Sequence, residues 1–337
     1  MNTLLKSALT FLLSCACLEN AFAQSNLRLD DFAYPFPVHE FSFMSQGESY
    51  EMAYMDVPAN TNEAGTIVLL HGKNFSGAYW GDTAKALADA GYHVIIPDQL
   101  GFGKSAKPRH YQFSFEQLAL NTHALLEHLG ITNVNVFGHS MGGMLAVRYA
   151  LMYPGATRNL LLVDPLGLED WQAKGVPYVS VDFQYAKELK QTAEKLHQYE
   201  QENYYHGTWK HDYDRWVDML DRFIRNPDYP VMAWDQALTS DMIFTQPVCR
   251  EFADLKMPVL LIVGSEDRTA IGRDLATPEN AQQLGHYPEL ARAAVAQIKN
   301  AKLVIVPGSG HLPQLEDFPH FIQPVKEFLR THQPTMP

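Results

Sequence analysis

The hydrophobic positions of this chain follow three different periods. Across residues 38–57, apolar and polar residues alternate on either side of Ser45-Gln46-Gly47-Glu48, which predicts an opening antiparallel hairpin. Short, wholly apolar runs then appear at 66–71, 93–97, 134–138, 159–164, 258–264 and 302–307, each bounded by turn residues. Continuous Val/Ile/Leu runs of this length suit strands buried on both faces of a parallel sheet. Between the early runs the period changes to 3.6, predicting helices over 83–90, 115–129 and 141–153. Parallel strands need such crossovers, so the pattern reads as an open α/β sheet with helices on both faces.

The rhythm breaks over residues 168–255, a stretch rich in aromatics with two helical patterns. Ala186, Leu189, Ala193 and Leu196 make one; Trp209, Tyr213, Trp216, Val217, Leu220, Phe223 and Ile224 make the other. We read a helical cap at 169–249, inserted between the two parts of the sheet domain, 24–168 and 250–337. Trp171, Tyr204, Tyr205, Trp209, Trp216 and Trp234 are candidates either for its pocket lining or for the cap's own small core, about half for each; a pocket so lined favours small or medium, largely apolar groups.

Residues 1–23 add a separate expectation. Lys6, the apolar run 7–18 and Ala21-Phe22-Ala23 have the order of a secretory signal with its cleavage site, predicting export to a periplasm or beyond. That run is too short to span a bilayer, and no other segment reads as a membrane span. Cys15 and Cys17 would leave with the signal, so Cys249 alone remains, which excludes an intrachain disulfide and multi-cysteine metal chemistry. A lipid anchor on Cys15 or Cys17 fits the preceding residues poorly.

Charge narrows the partners. The formal net charge is −12, so the clustered Lys and Arg that a phosphate backbone requires are lacking. A small-molecule substrate and water are the expected partners; the sequence leaves the oligomeric state open.

The chemistry gathers where apolar runs end, as ligand sites of open α/β sheets do. Gly138-His139-Ser140-Met141-Gly142 has the form G-x-S-x-G, and its weight comes from placement between a strand and a helix. There Ser140 sits on a sharp turn that lifts its hydroxyl above the sheet, with a helix N-terminus beneath it. His139 reads as a packing neighbour. A serine needs a base, and His311 in Pro307-Gly308-Ser309-Gly310-His311 follows the last strand at the same sheet edge. The base needs a carboxylate: Asp267, in Gly264-Ser265-Glu266-Asp267-Arg268, is the first candidate, with Asp164 and Glu266 as alternatives. Asp98 precedes the serine and reads as a loop organiser. For the oxyanion, the backbone N–H of Met141 is one expected donor and that of Lys73, or of Asn74, the second.

Together these residues resemble the α/β-hydrolase superfamily, in its lid-bearing branch of esterases, C–C hydrolases and haloperoxidase-like enzymes. The resemblance rests on His71-Gly72, on Asp98-Gln99-Leu100-Gly101-Phe102-Gly103-Lys104-Ser105, on 138–143, and on Asp267 and Gly310-His311 with Glu316 and Pro319 behind them. It implies an eight-stranded, mostly parallel sheet, a cap after the sixth strand, and no cofactor. Ser140 is unlike the aspartate nucleophile of the dehalogenases and epoxide hydrolases of this fold. Lys73-Asn74-Phe75-Ser76 departs from the Gly- and Pro-rich oxyanion loop usual in C–C hydrolases. The expected activity is hydrolysis of a carboxylic ester; a C–C hydrolase or a ligand-binding protein that retains the triad are the alternatives. The long stretch 269–300, with Pro288-Glu289-Leu290, predicts an extra helix near the pocket mouth.

Overall fold

A computed structural model describes residues 27–333; the expected signal segment lies outside them. The strands are β1 (Val38–Ser45), β2 (Glu48–Val57), β3 (Gly65–Leu70), β4 (Tyr92–Pro97), β5 (Val134–His139), β6 (Thr157–Val163), β7 (Val259–Gly264) and β8 (Ala301–Val306). They form one eight-stranded sheet in the order β1-β2-β4-β3-β5-β6-β7-β8. The hairpin β1–β2 and the β2–β4 pair are antiparallel, and all later pairs are parallel. Every residue of β5 and of β7 is buried, which is why both lack the alternation of a half-exposed strand.

Helices α1 (Gly81–Ala88), α2 (Phe115–His128) and α3 (Met141–Met152) cross between the early strands. Four more lie between β6 and β7: α4 (Val181–Glu188), α5 (Ala193–Asn203), α6 (Asp214–Ile224) and α7 (Tyr229–Thr245). The short α8 (Pro278–Ala281) and then α9 (Tyr287–Gln297) link β7 to β8, and α10 (Pro313–Glu316) and α11 (Phe318–Thr331) end the described chain.

Three expectations need correction. The first apolar pattern of the inserted segment is two helices: α4 ends at Glu188, and Thr192 caps the next by accepting the Lys195 N–H. Helix α7 gave no stripe in the sequence, since it buries Met232, Asp235, Thr239 and Phe244 around much of its circumference. The helix at Pro288 is the ordinary crossover between β7 and β8: Tyr287, Ala291 and Ala294 are buried in the core. The pocket is instead lined by Thr269, Ala270, Ile271, Gly272, Asp274 and Leu275 of this stretch.

Candidate active site

Strand β5 delivers its last residues into a turn so tight that side chains cannot fit inside it. A Cβ on Gly138 would overlap the Gly142 carbonyl, and one on Gly142 would overlap the Leu70 carbonyl. Between them Ser140 takes φ +56° and ψ −122°, outside the ordinary range for a residue with a side chain. Its Oγ lies 3.0 Å from His311 Nε2, and His311 Nδ1 lies 2.7 Å from Asp267 Oδ2. His311 and Asp267 are wholly buried, and Ser140 is 5% exposed.

Each member is held from behind. The Thr269 N–H donates to Asp267 Oδ1 at 2.8 Å. Burial alone would raise the Asp267 carboxyl, but the charge and hydrogen bond of His311, with the backbone hydrogen bond of Thr269, hold it below the usual carboxylate range. His311 is gripped through its backbone: its N–H donates to the Tyr204 carbonyl at 2.8 Å, and His139 Nε2 lies 2.9 Å from the His311 carbonyl oxygen. Burial keeps His139 neutral, its value well below that of free imidazole, so Nε2 donates to that oxygen and Nδ1 accepts from Tyr79 Oη at 2.9 Å. Glu316 accepts the N–H groups of Gly310 and Leu312 at 3.0 and 3.1 Å, bracketing the histidine on both sides.

The turn after β3 is organised by the same shell. The Gly72 N–H donates to Tyr79 Oη at 3.1 Å and Phe75 N–H closes the turn on the Gly72 carbonyl at 3.2 Å. Lys73 and Asn74 border the cavity next to Ser140. Met141 is the first residue of α3, where N–H groups have no intrahelical acceptor. Asp98 braces the neighbouring loop, accepting from Gly77 N–H (2.6 Å), Lys104 N–H (2.7 Å) and Tyr34 Oη (2.6 Å). Glu266 is exposed and bonds Ser265 Oγ, away from His311.

Above the serine lies a cavity of about 390 Å³. Its apolar walls include Leu166, Leu220, Phe223 and Ile271, and its polar ones include Lys73, Glu188 and Gln236. The Lys73 ammonium donates to Glu188 Oε1 at 3.2 Å and Gln236 Oε1 at 3.0 Å. Of the six candidate aromatics, only Tyr204 lines the pocket. Trp171 is buried in the core on one side of the sheet. Trp216 packs on Phe32, Phe75 and Tyr79, Tyr205 stacks on Tyr213 beside Trp209, and Trp234 meets Tyr185. The other five aromatics thus serve packing, Tyr205, Trp209 and Trp234 within the inserted segment and Trp171 and Trp216 against the sheet domain.

Tyr204 is the functional neighbour that the sequence reads only as a wall. Its ring stacks on His311 (centroids 4.9 Å, 27° between planes), and its hydroxyl accepts from Asn74 Nδ2 at 3.0 Å. One residue of the inserted segment therefore touches both the histidine and the turn after β3. Among the described residues, Asp164, Asp267 and His311 are also the one group of metal-ligand types brought together, with candidate atoms within 4.8 Å of one another. His311 spends both ring nitrogens on Asp267 and Ser140, so hydrogen bonding accounts for this cluster. No described helix is long and apolar enough to cross a membrane.

The comparisons with known proteins follow this geometry. A probable hydrolytic enzyme from Pseudomonas aeruginosa PAO1, solved by crystallography, is 51% identical and superposes with a TM-score of 0.88, covering 89% of this chain and 96% of that one. Lipase 1 of Psychrobacter immobilis is 39% identical over 140 residues, 41% of this chain, and the shared stretch spans only 42% of the lipase. The 2-hydroxy-6-oxo-6-phenylhexa-2,4-dienoate hydrolase of Burkholderia cepacia is 26% identical over 80% of this chain and 90% of its own length. The family model described as the alpha/beta hydrolase fold matches residues 65–318. The chain, with its eight-stranded, mostly parallel sheet, belongs to the α/β-hydrolase fold family.

Proposed function

We propose that this hydrolase cleaves a carboxylic ester through an acyl-enzyme on Ser140. The carrying observation is the continuous contact Ser140 Oγ–His311 Nε2–His311 Nδ1–Asp267 Oδ2, at 3.0 and 2.7 Å. In this reading His311 takes the Ser140 proton as the hydroxyl attacks the carbonyl carbon. Asp267 holds the tautomer and stabilises the imidazolium. The oxyanion rests on the N–H groups of Met141 and Lys73, and each such donor is worth about 10²-fold or more in rate. His311 then protonates the leaving alcohol, and a water activated by the same base releases the acid.

The mixed lining of the cavity supports an acyl or alkyl group of small or medium size, apolar toward Leu220 and Phe223 and with room for a polar atom near Lys73. The inserted helices, which contribute Glu188, Tyr204 and Gln236 to the walls, act as a cap over the site. The lipase similarity supports ester chemistry. The dienoate hydrolase similarity, which extends over most of both chains, favours a second reading, in which the same three residues cleave a C–C bond beside a carbonyl.

The test is burst and steady-state hydrolysis of p-nitrophenyl esters from acetate to decanoate, with wild type and Ser140→Ala side by side. Turnover that the substitution abolishes is the expected result, with a chain-length optimum reporting the cavity. A folded wild type that hydrolyses none of the series would overturn the esterase reading and turn attention to dienoate-type substrates.

A further inference from the structure

The acyl-transfer reading uses Asp267 and leaves Asp164, one strand away, without a task. Asp164 directly follows β6 and is wholly buried. Its φ of +37° is left-handed, a conformation that costs a residue with a Cβ about 1 kcal/mol or more and persists where its surroundings enforce it. Its Oδ1 accepts the N–H of Gly264 at 2.9 Å, which ties the end of β6 to the turn that presents Asp267. Its Oδ2 is buried and receives no hydrogen bond from any described residue.

What Asp164 does have nearby is the other carboxyl. Atoms of Asp164, Asp267 and His311 lie within 4.8 Å of one another, close enough for a shared proton to join the two carboxyls. An ionised carboxylate only accepts, so two of them cannot bond, and two charges so close in a dry site repel. One proton resolves both problems, because it turns the orphaned Asp164 oxygen into a donor to Asp267. Burial, and then the charge and hydrogen bond of Asp267, hold the Asp164 carboxyl well above the usual carboxylate range. The titratable groups facing it are Asp267 and His311, with Glu316 of α10 and Tyr287 of α9 beyond them.

We propose that Asp164 is a second acid of this site, whose carboxyl proton bonds Asp267 and fixes it against His311, and which becomes the partner of His311 when Asp267 is lost. This rests on the serine-hydrolase reading. Asp164 is a positioning residue, acting through Asp267. A donor on Asp267 delocalises its charge and weakens its pull on the imidazolium, so removing the donor leaves His311 protonated to higher pH. An amide at position 164 still donates to Asp267, whereas a methyl group does not.

The experiment follows kcat and KM for p-nitrophenyl butyrate from pH 5 to 10 in wild type, Asp164→Ala, Asp164→Asn, Asp267→Asn and the Asp164→Asn/Asp267→Asn double variant. The His311 ring is titrated by NMR in the same proteins. Asp164→Ala is expected to lower kcat about 10-fold with KM held, and to move the acid limb of kcat/KM upward by about half a pH unit or more. Asp164→Asn should restore most of that loss and return the limb to its wild-type position. Asp267→Asn should stay about 10-fold more active than the double variant, since Asp164, freed of its charged neighbour, ionises and accepts from His311. The proposal is overturned if Asp164→Ala leaves the limb and the His311 titration in place, or if Asp267→Asn and the double variant are equally slow. Should Asp164→Ala not fold, the comparison of those two Asn variants, which preserve shape, decides alone. Should wild type not turn over esters, the esterase reading falls, while the His311 titrations still decide the role of Asp164.

Discussion

The carboxyl edge of the sheet and the helical segment between β6 and β7 build the same cavity by opposite means. At the sheet edge, β5 and β7 are buried throughout, and each buried carboxyl there is tied by hydrogen bonds: Asp267 to His311 Nδ1 at 2.7 Å and to the Thr269 N–H at 2.8 Å, and Asp164 through Oδ1 to the Gly264 N–H at 2.9 Å. In the inserted segment, α4 buries no residue, α5 buries only Leu196 and Glu200, and the Glu200 and Asp235 carboxyls are buried without a hydrogen-bond partner. Burying a carboxyl unpaired opposes folding, and proteins tolerate few such groups. The sheet edge fixes the reacting atoms; the segment spends stability to wall them.

Substitutions can break this contrast, and the largest effect belongs to the sheet edge. Ser140→Ala should lower ester turnover by about 10⁴-fold or more while leaving the thermal midpoint within a few degrees, checked by steady-state kinetics and calorimetry. The strain at the elbow belongs to the backbone and survives the loss of one oxygen.

The segment should answer in stability. Burial pushes the Glu200 carboxyl up from 4.5 to about 8. Between those values the folded chain keeps a proton that the unfolded chain has released, so stability falls as pH rises through the window. Glu200→Gln should therefore stabilise the protein by about 2–5 kcal/mol above pH 8 and by almost nothing near pH 4. Urea unfolding at both pH values measures it, and a pH-independent difference would show that Glu200 is not a buried neutral acid.

Tyr204 is where the two regions meet. Replacing it with Ala removes the ring from His311 and should lower kcat about 10-fold, since a base displaced by a fraction of an ångström loses its geometry. Phe keeps the ring and loses only the bond from Asn74, so it should cost about 3-fold or less; equal losses for Ala and Phe would place the effect in the hydroxyl. The smallest change is expected at the exposed face of α4: Phe183→Ser, at 49% exposure, should shift unfolding by about 0.5 kcal/mol or less.

Much of this protein follows from its sequence because the relevant signals are local. A strand buried on both faces must be apolar throughout, so six runs located six strands of the parallel sheet, and the alternation at 38–57 located the hairpin. Ser140, Asp267 and His311 could be picked out for the same reason, since each sits within a few residues of a strand end and strand ends share one edge. The inserted segment was legible only in part: α6 has the period read at 209–224, whereas α4 buries no residue and α7 buries residues on several sides, leaving no period to read.

What tertiary structure alone decided is which side chains face one another across the chain. Sequence made Asp164 and Asp267 rivals for one post; the adjacency of β6 and β7 sets them side by side, where like charges in a dry site cannot both ionise. It made Tyr204 one of six equivalent aromatics, and the closure of the segment onto the sheet put that one against His311 and the others into packing. Residue type and local period determine what each segment can become. Contacts between distant segments depend on how buried surfaces fit together, and that fit is a property of the whole fold.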